Sequence, residues 1–572
     1  MSELERRTQG LLRRSLICGR SALRRLSTAP AFDAIALAGP HPLRLVAVPP
    51  DPWPGDPAAG AAILTGRFVH RGQVLRDGAS EHWKPEALWA ARSISLGWQR
   101  WLHGFAWARD LAATADRARA KRLMEAHMRA WLAHHDRRPS VAWEPAVLAR
   151  RLMAWISYAP LILASDDKVL RSAILTSMAR QARHLARAWT EAEDGADRLR
   201  AVVGLCFAGL FQPESNRERR ALAALDATIS RLVLADGGMV TRSPAELYTA
   251  FRDLLSLESA LKALDRPASP LMIKALDRMA TMLKALTLGD RRLAQFNGAS
   301  AELAAVLDDL DGPFARMAPM ANGRHSGFQR LARGEIVVVV DAGPPPPQLQ
   351  SRWHHAGTLS FEMSLGEERL VVNCGSLRAV PDPDALSFPG LSAQSLAILM
   401  RATATHSTLV VNDTNSAEIQ RNGLIGRGPK IVASRREEVE GALLLDMRHD
   451  GYGDRFGLEH RRRLFLDADG RSLRGEDSLV ALRTRRRPLK YDIRFHLHPD
   501  VTVRVMDGGN SCLLRLPSGR SVQFLARGGV LSLDDSLYLG TPARPRPCRQ
   551  IVVTGNVQAD ENLVQWAFVL NN

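Results

Sequence analysis

A chain of 572 residues with 46% hydrophobic residues is long enough for roughly two to four domains, which excludes a largely disordered protein. Its 77 Lys and Arg residues outnumber its 60 Asp and Glu residues, and the net charge of +17 predicts an anionic partner or, alternatively, a basic surface without a specific ligand. The five cysteines lack CxxC spacing and no run of about 20 apolar residues occurs, so neither a zinc ribbon, nor a disulfide framework, nor a transmembrane helix is predicted.

The N-terminal segment from Met1 to Ser27 contains seven arginines and lacks the long apolar core and cleavage site of a signal peptide. It predicts a basic amphipathic helix, which suits contact with an anionic membrane surface, whereas an ordinary solvated helix is the alternative. A connector rich in Pro and Gly follows from Pro49 to Gly55. We assign residues 1–80 to this basic segment and connector.

Residues 81–320 have a helical pattern. Apolar residues recur at three- and four-residue spacing, as from Trp98 to Trp107 and from Val147 to Ile156. Helical segments succeed one another without a clear sequence repeat, which favours an α/α toroid over a solenoid. The tryptophans of this region fit either a helical core or a cleft on which sugar rings stack; they are Trp98, Trp101, Trp107, Trp143 and Trp155.

Residues 321–572 switch to period two and to β-branched runs, such as Glu335 to Val340 and Val501 to Val505. Such runs are typical of an antiparallel β-sandwich. Four prolines, Pro344 to Pro347, cannot donate ladder hydrogen bonds and mark an exposed connection. The predicted fold class is therefore multidomain α and β, a toroid followed by a sandwich.

Three imidazoles and one amide are the candidate functional groups of the β half. His354, His355, Asn373 and His406 lie in short β-branched segments that a sheet can bring together. Two histidines can bind a metal through ring nitrogens, but without a firm third ligand they also fit a hydrogen-bonded core pair. The sequence has no Walker-type phosphate loop and no GxSxG elbow, which argues against nucleotide hydrolysis and serine hydrolase chemistry.

Two basic segments of the β half fit contact with an anionic chain. One contains Arg421 and Arg427 in a glycine-rich loop, and the other is the run from Arg461 to Arg463. A solvated hairpin face is the alternative for both. A nucleic-acid binder has only the charge in its favour, because no recognisable binding module is present.

Several motifs together resemble the heparinase II/III-like family of polysaccharide lyases, and the resemblance covers most of the chain. It implies an N-terminal α/α toroid, a C-terminal sandwich, and cleavage of a uronic-acid-containing polysaccharide by β-elimination. The motifs are His325 to Arg330, His355 to Glu362, Val372 to Gly375, Ala404 to Leu409, Gly451 to Gly453, His460 to Arg462, Asp236 to Gly238, Arg242 to Pro244 and Phe296 to Gly298.

β-Elimination requires a base that removes the proton from C5, an acid for the leaving oxygen on C4, and a donor that neutralises the carboxylate. By resemblance, the family's catalytic His falls on Trp353 and its catalytic Tyr on Glu246. Tyr248 follows two residues later, which on a helix rotates the side chain by roughly 200°. The metal-binding Asp of the family falls on Asn373, and a neutral amide there weakens binding of a divalent ion.

The resemblance implies a polysaccharide lyase with a degraded catalytic motif, in the cell envelope or periplasm, with cytoplasmic or membrane-peripheral placement still open. A non-catalytic anionic-glycan-binding or envelope-assembly protein on the same fold is the alternative. The implied residues are His354, Tyr248, Arg242 and Asn297 for catalysis, Trp353, Arg421 and Arg427 for substrate binding, and His355, Asn373 and His406 for one divalent metal, zinc or calcium. Surface solvation of Arg242 and helix capping by Asn297 are the alternatives for those two residues.

Overall fold

The fold comes from a computed structural model. The described residues are 37–75, 82–136, 140–212, 216–301, 308, 310, 312–386, 390–483, 489–506, 508–540, 545–557 and 561–571. The basic helix predicted from Met1 to Ser27 lies outside them. Within these ranges, every helix is too short or too polar to span a bilayer.

The first half is helical, as predicted. Several helices begin where a side chain or a proline satisfies the first turn. Asp116 accepts a hydrogen bond from the Arg119 amide, and Pro145 opens the next long helix. The helices are α1 (Pro57–Leu64), α2 (Pro85–Ala90), α3 (Leu96–His103), α4 (Ala108–Ala112), α5 (Arg117–His135), α6 (Pro145–Ser157), α7 (Ala159–Ile162), α8 (Lys168–Ala188), α9 (Ala196–Phe211), α10 (Arg217–Leu232), α11 (Pro244–Lys262) and α12 (Pro270–Ala285).

Aromatic side chains form the centre of the helical core. The rings of Trp131 and Trp155 meet edge to face at 5.2 Å, and Phe105 meets Trp155 in the same way at 5.4 Å. The Arg151 guanidinium lies 4.6 Å from the Trp131 ring and donates to the His103 carbonyl at 2.9 Å. Trp155, one of the tryptophans considered for a sugar cleft, is therefore a core residue.

Part of the expected connector belongs to the helical half. Helix α1 and the short hairpin of β1 (Val69–His70) and β2 (Gln73–Val74) pack against it, because Ile63, Phe68 and Leu75 are apolar and become buried there. The Phe68 ring meets that of Trp107 at 5.6 Å. The assignment of residues 1–80 to a separate segment therefore ends too late, since the fold has begun by Pro57.

The second half forms two antiparallel sheets that pack face to face. One runs β16-β17-β12-β6-β5-β4-β3, with β7 also paired to β12, and the other runs β13-β14-β15-β18-β11-β10-β9-β8. The strands are β3 (Phe328–Arg333), β4 (Ile336–Asp341), β5 (Phe361–Leu365), β6 (Glu368–Val372), β7 (Leu409–Val411), β8 (Val432–Val439), β9 (Ala442–Tyr452), β10 (Leu458–Leu466), β11 (Ser472–Ala481), β12 (Leu489–Leu497), β13 (Thr502–Val505), β14 (Ser511–Arg515), β15 (Ser521–Arg527), β16 (Val530–Tyr538), β17 (Arg546–Val557) and β18 (Glu561–Leu570). Two short helices, α13 (Ala393–Leu399) and α14 (Gly453–Phe456), lie in the connections.

A fully buried ionic network lies between the two sheets. The Arg462 guanidinium donates to both carboxylate oxygens of Asp477, at 2.8 and 2.9 Å. The Trp566 indole donates to the same carboxylate at 2.8 Å, and His460 contacts it at 2.7 Å. The Gly451 amide donates to Nδ1 of His449, so that ring carries its proton on Nε2. This Nε2 donates to Nδ1 of His460, which extends the hydrogen-bond network to His449.

The same network holds two loops of the first sheet. A single nitrogen of Arg462, Nη1, donates to the carbonyls of Leu359 at 2.9 Å and Ser407 at 2.8 Å. Those loops contain the histidines that the sequence singled out. The Asp477 carboxylate stays ionised because the positive charge of Arg462 lowers its pKa, although burial acts in the opposite sense.

We predict that Asp477→Asn lowers the free energy of unfolding by about 3–5 kcal/mol, because the Arg462 charge remains buried without a counterion. Asp535→Asn is the matched control, because that carboxylate pairs with Arg549 on the surface and is worth about 1 kcal/mol or less. Urea denaturation followed by circular dichroism measures both. Equal effects of the two variants would contradict the role given to the network.

Candidate functional site

The seam between the two halves is built around the Arg242 side chain. Arg242, just before α11, has a left-handed backbone with φ 54°, which directs its guanidinium towards the sandwich. It donates to the carbonyls of Ser326 at 2.6 Å, Gly343 at 2.9 Å and Pro344 at 2.8 Å, and it forms an ion pair with Asp341. Arg242 is 4% exposed and Asp341 is 2% exposed, so the pair is shielded from water.

Asn297 completes this seam. Its amide nitrogen donates to the Arg242 carbonyl at 2.9 Å and to Asp341 at 3.2 Å, and its oxygen accepts from the His355 amide at 3.0 Å. The structure thus brings Arg242 and Asn297 together, as the family resemblance implied. In this arrangement both side chains are engaged by the protein itself, so neither surface solvation nor helix capping describes them.

The two positions that the resemblance matched to catalytic residues face each other across the seam. Arg378, in the connection after β6, donates to the Glu246 carboxylate at 2.8 Å and to the Ser243 hydroxyl at 3.0 Å. The same guanidinium lies 4.5 Å from the Trp353 ring. Glu246 and Trp353, which are far apart in sequence, are therefore joined through one arginine, and we call these three residues the cleft triad.

The cleft triad is closely packed on both sides. A Cβ at Gly195 would lie 2.3 Å from the Glu246 carboxylate, and one at Gly298 would lie 3.2 Å from Cβ of Trp353. Both glycines have positive φ, 134° and 82°. Glycine is thus required at these positions by close approach as well as by backbone conformation.

His354 is buried with neither ring nitrogen hydrogen-bonded within the described part of the chain. Burial, together with the positive charges of Arg242 and Arg401, holds its pKa well below the ordinary histidine value. The neutral ring points into the protein, so a role as catalytic acid or base would need a movement of this segment. The assignment of His354 to catalysis stays a prediction.

His355 and His406 do meet, with Nδ1 of the first 3.0 Å from Nε2 of the second. His406 Nδ1 contacts the Ala402 carbonyl at 2.7 Å and therefore carries the proton, so its Nε2 accepts from His355. The side-chain oxygen of Asn373 accepts from the Ser407 amide at 3.0 Å, and its amide nitrogen is buried without a described partner. This is the hydrogen-bonded pair that the sequence left open.

The donor set fits a divalent ion poorly. Two neutral imidazoles and an amide that is already engaged supply no anionic oxygen or sulfur, whereas zinc and calcium sites depend on such ligands or on further histidines. Among the described residues, no group of three or more His, Cys, Asp and Glu side chains is placed to hold a metal. The metal at His355, Asn373 and His406 stays a prediction.

Tyr248 lines a cavity of about 320 Å³ inside the helical half. It lies two residues beyond Glu246 on α11, and Glu246, Arg378 and Trp353 are not among the residues that line this cavity. Arg71, Arg150 and Arg200 line the same cavity. Three carboxylates, Asp51, Asp110 and Asp253, line it as well, and Asp51 and Asp253 are paired with arginines of the lining. The cavity therefore combines a phenol with guanidinium groups that outnumber its carboxylates, which suits an anion.

Repulsion between neighbouring arginines, together with burial, lowers the pKa values of two arginines in this cavity. Nearby Arg200, followed by burial, lowers the Arg150 pKa to about 9, and burial with Arg378 lowers the Arg71 pKa to about 10. Within the described residues the Arg150 guanidinium makes no hydrogen bond or ion pair. An anion in the cavity would pair with it and relieve the repulsion.

Arg421 and Arg427 lie elsewhere. They belong to a surface hairpin closed by pairing of Ile419 with Ile425, and the Arg427 side chain is 83% exposed beside Glu418. Neither residue lines the helical cavity. The structure thus does not unite them with Tyr248, and their assignment to substrate binding stays a prediction about a separate surface.

Sequence reasoning missed several residues that shape the site. Asp341 is the last residue of the β-branched strand β4. A carboxylate at the end of such a strand indicates a polar group where the sheet meets its neighbours. Arg71 occupies the tip of a two-residue turn before Gly72 that predicts a hairpin. Arg150 lies in a helix that was judged only by its apolar periodicity. Arg378 lies in the three-residue 3-10 helix Leu377–Ala379, which is too short to have a periodicity in the sequence.

Glu362 joins the helical half to the sandwich next to Asn373. The fully buried carboxylate accepts from the Gln295 amide at 3.0 Å and from the Asn373 amide at 2.7 Å. Arg369 lies 3.4 Å away. Burial nevertheless dominates over these contacts and raises the Glu362 pKa to about 7.

Comparison with known proteins supports the fold. A family model described as heparinase II/III-like, C-terminal, matches residues 315–567. FtsZ-localized protein C of Caulobacter vibrioides is 33% identical over 510 residues, which cover 85% of this chain and 83% of that protein. Both the resemblance and the predicted fold class are confirmed by these matches together with two solved structures.

The first solved structure is that of a heparinase III, with a TM-score of 0.69 and 14% identity over 90% of this chain and 84% of the other. The second is heparan sulfate lyase HepC from Pedobacter heparinus, with a TM-score of 0.58 and 16% identity over 96% of this chain and 87% of the other. At these identities the likeness concerns the fold, a helical toroid followed by a β-sandwich.

We predict that stability depends on pH through Glu362. Because the folded pKa of about 7 exceeds the ordinary value of 4.5, the free energy of unfolding falls as pH rises between these values. Glu362→Gln flattens this part of the profile, whereas Glu367→Gln, an exposed neighbour, leaves it unchanged. Urea denaturation across the range measures the difference, and parallel wild-type and Glu362→Gln profiles would refute the assignment.

Proposed function

The chain belongs to the heparinase II/III-like family, and from that premise we propose that it binds an anionic polysaccharide in the helical cavity without cleaving it. The fold is that of polysaccharide lyases. The two positions matched to the family's catalytic His and Tyr are Trp353 and Glu246. Our proposal is therefore a glycan-binding protein on a lyase fold.

The cleft triad is the observation that carries this proposal. Trp353 has no titratable proton, and the Glu246 carboxylate is paired with Arg378. The neighbouring His354 is buried and neutral. β-Elimination needs a base within hydrogen-bond reach of C5, and none of these groups offers one.

The helical cavity supports the binding half of the proposal. Arg150 is available for an ion pair, and the cavity is also lined by Arg71 and by Arg200, which is paired with Asp253. Trp101 stacks on His70 with ring centroids 4.7 Å apart, which gives the cavity an aromatic side. Guanidinium groups pair with carboxylate or sulfate through two parallel hydrogen bonds, and aromatic rings pack against sugar faces.

The relative's name supports a place of action. FtsZ-localized protein C is named for its position with FtsZ, and it is 33% identical to this chain. We carry that over as part of the proposal: the chain works at the cell envelope where FtsZ assembles. The basic segment from Met1 to Ser27 would add contact with anionic lipid there, as the sequence predicted.

A lyase is the second candidate, and Tyr248 favours it. Its side chain lines the cavity together with Arg150 and Arg200, so a phenol base and a donor for the uronate carboxylate share one space. In this alternative Tyr248 takes the place of the family's catalytic Tyr from a position two residues later on α11. The metal predicted at His355 and His406 belongs with this candidate.

We predict that Arg150→Ala weakens binding of an acidic polysaccharide by about tenfold or more, because one desolvated ion pair is lost. Arg187→Ala, on the exposed side of α8, is the matched control and leaves affinity unchanged. Calorimetry with heparin, alginate, chondroitin sulfate and a bacterial exopolysaccharide measures both variants. Equal affinity of wild type and Arg150→Ala for every polymer bound, or no binding at all, would refute the proposed cavity.

The same incubations separate binding from cleavage. We expect no rise in the ultraviolet absorbance of unsaturated uronate with any of these polymers. A rise that disappears in Tyr248→Phe would establish the lyase instead. Tyr248→Phe retains the ring, so its folding can be checked against wild type by thermal denaturation.

Metal analysis tests the ion that accompanies the lyase candidate. About one equivalent of zinc or calcium per chain in purified protein, lost in His406→Ala, would support a metal between His355 and His406. A metal content unchanged in His406→Ala, or far below one equivalent, would refute it. Because the imidazoles already hydrogen-bond to each other, we expect the low value.

A further inference from the structure

The outer face of the sheet that contains β8 to β11 carries a cationic surface unconnected with the helical cavity. Residues of β10 alternate strictly between buried and accessible, so Arg461, Arg463 and Phe465 point outward while Arg462 and Leu464 point into the core. Strand register extends the same outward face to β9, β11, β18 and β15. We call this the arginine face; its cationic members are Arg435, Arg461, Arg463, Arg474 and Arg527.

A row of outward-facing side chains crosses this face; its members are apolar except for Arg474 at the centre, and we call it the apolar row. Phe465 pairs with Leu444 on one side and with Arg474 on the other. Arg474 pairs with Ala567, which in turn pairs with Leu525, and the Leu525 side chain is 40% exposed. From Leu444 to Leu525 the row spans four strand spacings, about 19 Å, which equals the length of about six extended residues.

Two depressions lie along this row. One has a volume of about 610 Å³ and includes Leu444 and Phe465; the other has about 280 Å³ and includes Leu525 and Ala567. They share the segment from Arg474 to Glu476. The apolar row is therefore recessed between charged side chains and can receive side chains from a partner.

The carboxylates of the arginine face have ion-pair partners within the face, whereas two of its arginines have weak partners or none among the described residues. Its carboxylates are paired internally: Asp446 with Arg461 and Arg463, Glu476 with Arg463, and Glu437 with Arg435. Arg527, by contrast, makes no hydrogen bond or ion pair in the described part of the chain. Arg474 lies 3.3 Å from Asp467 and 5.9 Å from the centre of the Phe465 ring, and its side chain is 63% exposed.

We propose that the arginine face docks an extended acidic polypeptide segment of a partner protein, with bulky apolar side chains in the two depressions and carboxylates on Arg474 and Arg527. The fit rests on charge complementarity and on the match between the apolar row and an extended segment. An extended chain alternates its side chains, which suits a surface on which an apolar row lies next to a row of charges.

Other occupants fit less well. An anionic membrane would place its phosphates against Glu437, Asp446 and Glu476, which lie among the arginines. The chain's own residues 1–36 hold seven arginines against three acidic residues and so repel the face. A narrow segment that is both acidic and apolar fits better, because it can place carboxylates on Arg474 and Arg527 and apolar side chains in the two depressions.

The test uses the full chain and a fluorescein-labelled peptide of eight residues in which glutamate alternates with leucine and phenylalanine. Fluorescence anisotropy should show saturable binding, and Arg474→Glu with Arg527→Glu should weaken it by at least about tenfold. Arg504→Glu with Arg515→Glu is the matched control, because both residues are exposed on the same sheet outside the depressions. That control should change the affinity less than about twofold.

Three results would overturn the docking proposal. They are failure of the peptide to bind wild type, equal weakening by the two double variants, and undiminished binding when lysine replaces glutamate in the peptide. Vesicles containing phosphatidylglycerol and heparin serve as competing probes: if either binds through Arg474 and Arg527 while the peptide does not, the face belongs to lipid or glycan. Arg150→Ala should leave peptide binding unchanged, which keeps this test independent of the helical cavity.

Discussion

The buried ion pair between Arg242 and Asp341 is the interaction on which the rest of the structure depends. The guanidinium belongs to the helical half and the carboxylate to the sandwich, so each half alone would leave a charge in apolar surroundings without its counterion. Removal of two charges from water is tolerated only when the geometry satisfies both, and the carbonyls of Ser326, Gly343 and Pro344 provide the remaining partners. The pair therefore joins the two halves at this seam, and the loop from Trp353 to Leu359 is held beside it, because the Leu359 amide donates to the Asp341 carbonyl.

The sequence predicted the fold through periodicity. The spacing of apolar residues in α6 and the strict alternation in β10 are local properties, so a helical half followed by a β half could be recognised without any tertiary information. The start of the helical half was placed too late because α1 and the β1–β2 hairpin are short and follow a proline-rich stretch. Their place in the core depends on Phe68 reaching Trp107, a contact that no local pattern reports.

The site was predictable only in part. Family motifs pointed to Arg242, Asn297, His355 and His406, and these residues do meet in two groups along the seam. Their engagement with one another could not be read from the motifs, because hydrogen bonding depends on distance and not on residue type. Arg378 could not be predicted for the same reason. It lies in a single 3-10 turn, and its importance comes from bridging Glu246 and Trp353, which are far apart in sequence.

The cleft triad has a consequence for how this chain can change over time. Tyrosine at 246 alone would leave the Arg378 guanidinium without its carboxylate partner. Histidine at 353 alone would replace the indole over which that guanidinium lies with a smaller imidazole. A smaller residue at 378 would in turn leave Glu246 as a buried, unpaired charge. Each single step towards the family's catalytic pair thus passes through a less stable protein. Coupling among Glu246, Trp353 and Arg378, more than the identity of any one of them, therefore keeps these three residues together.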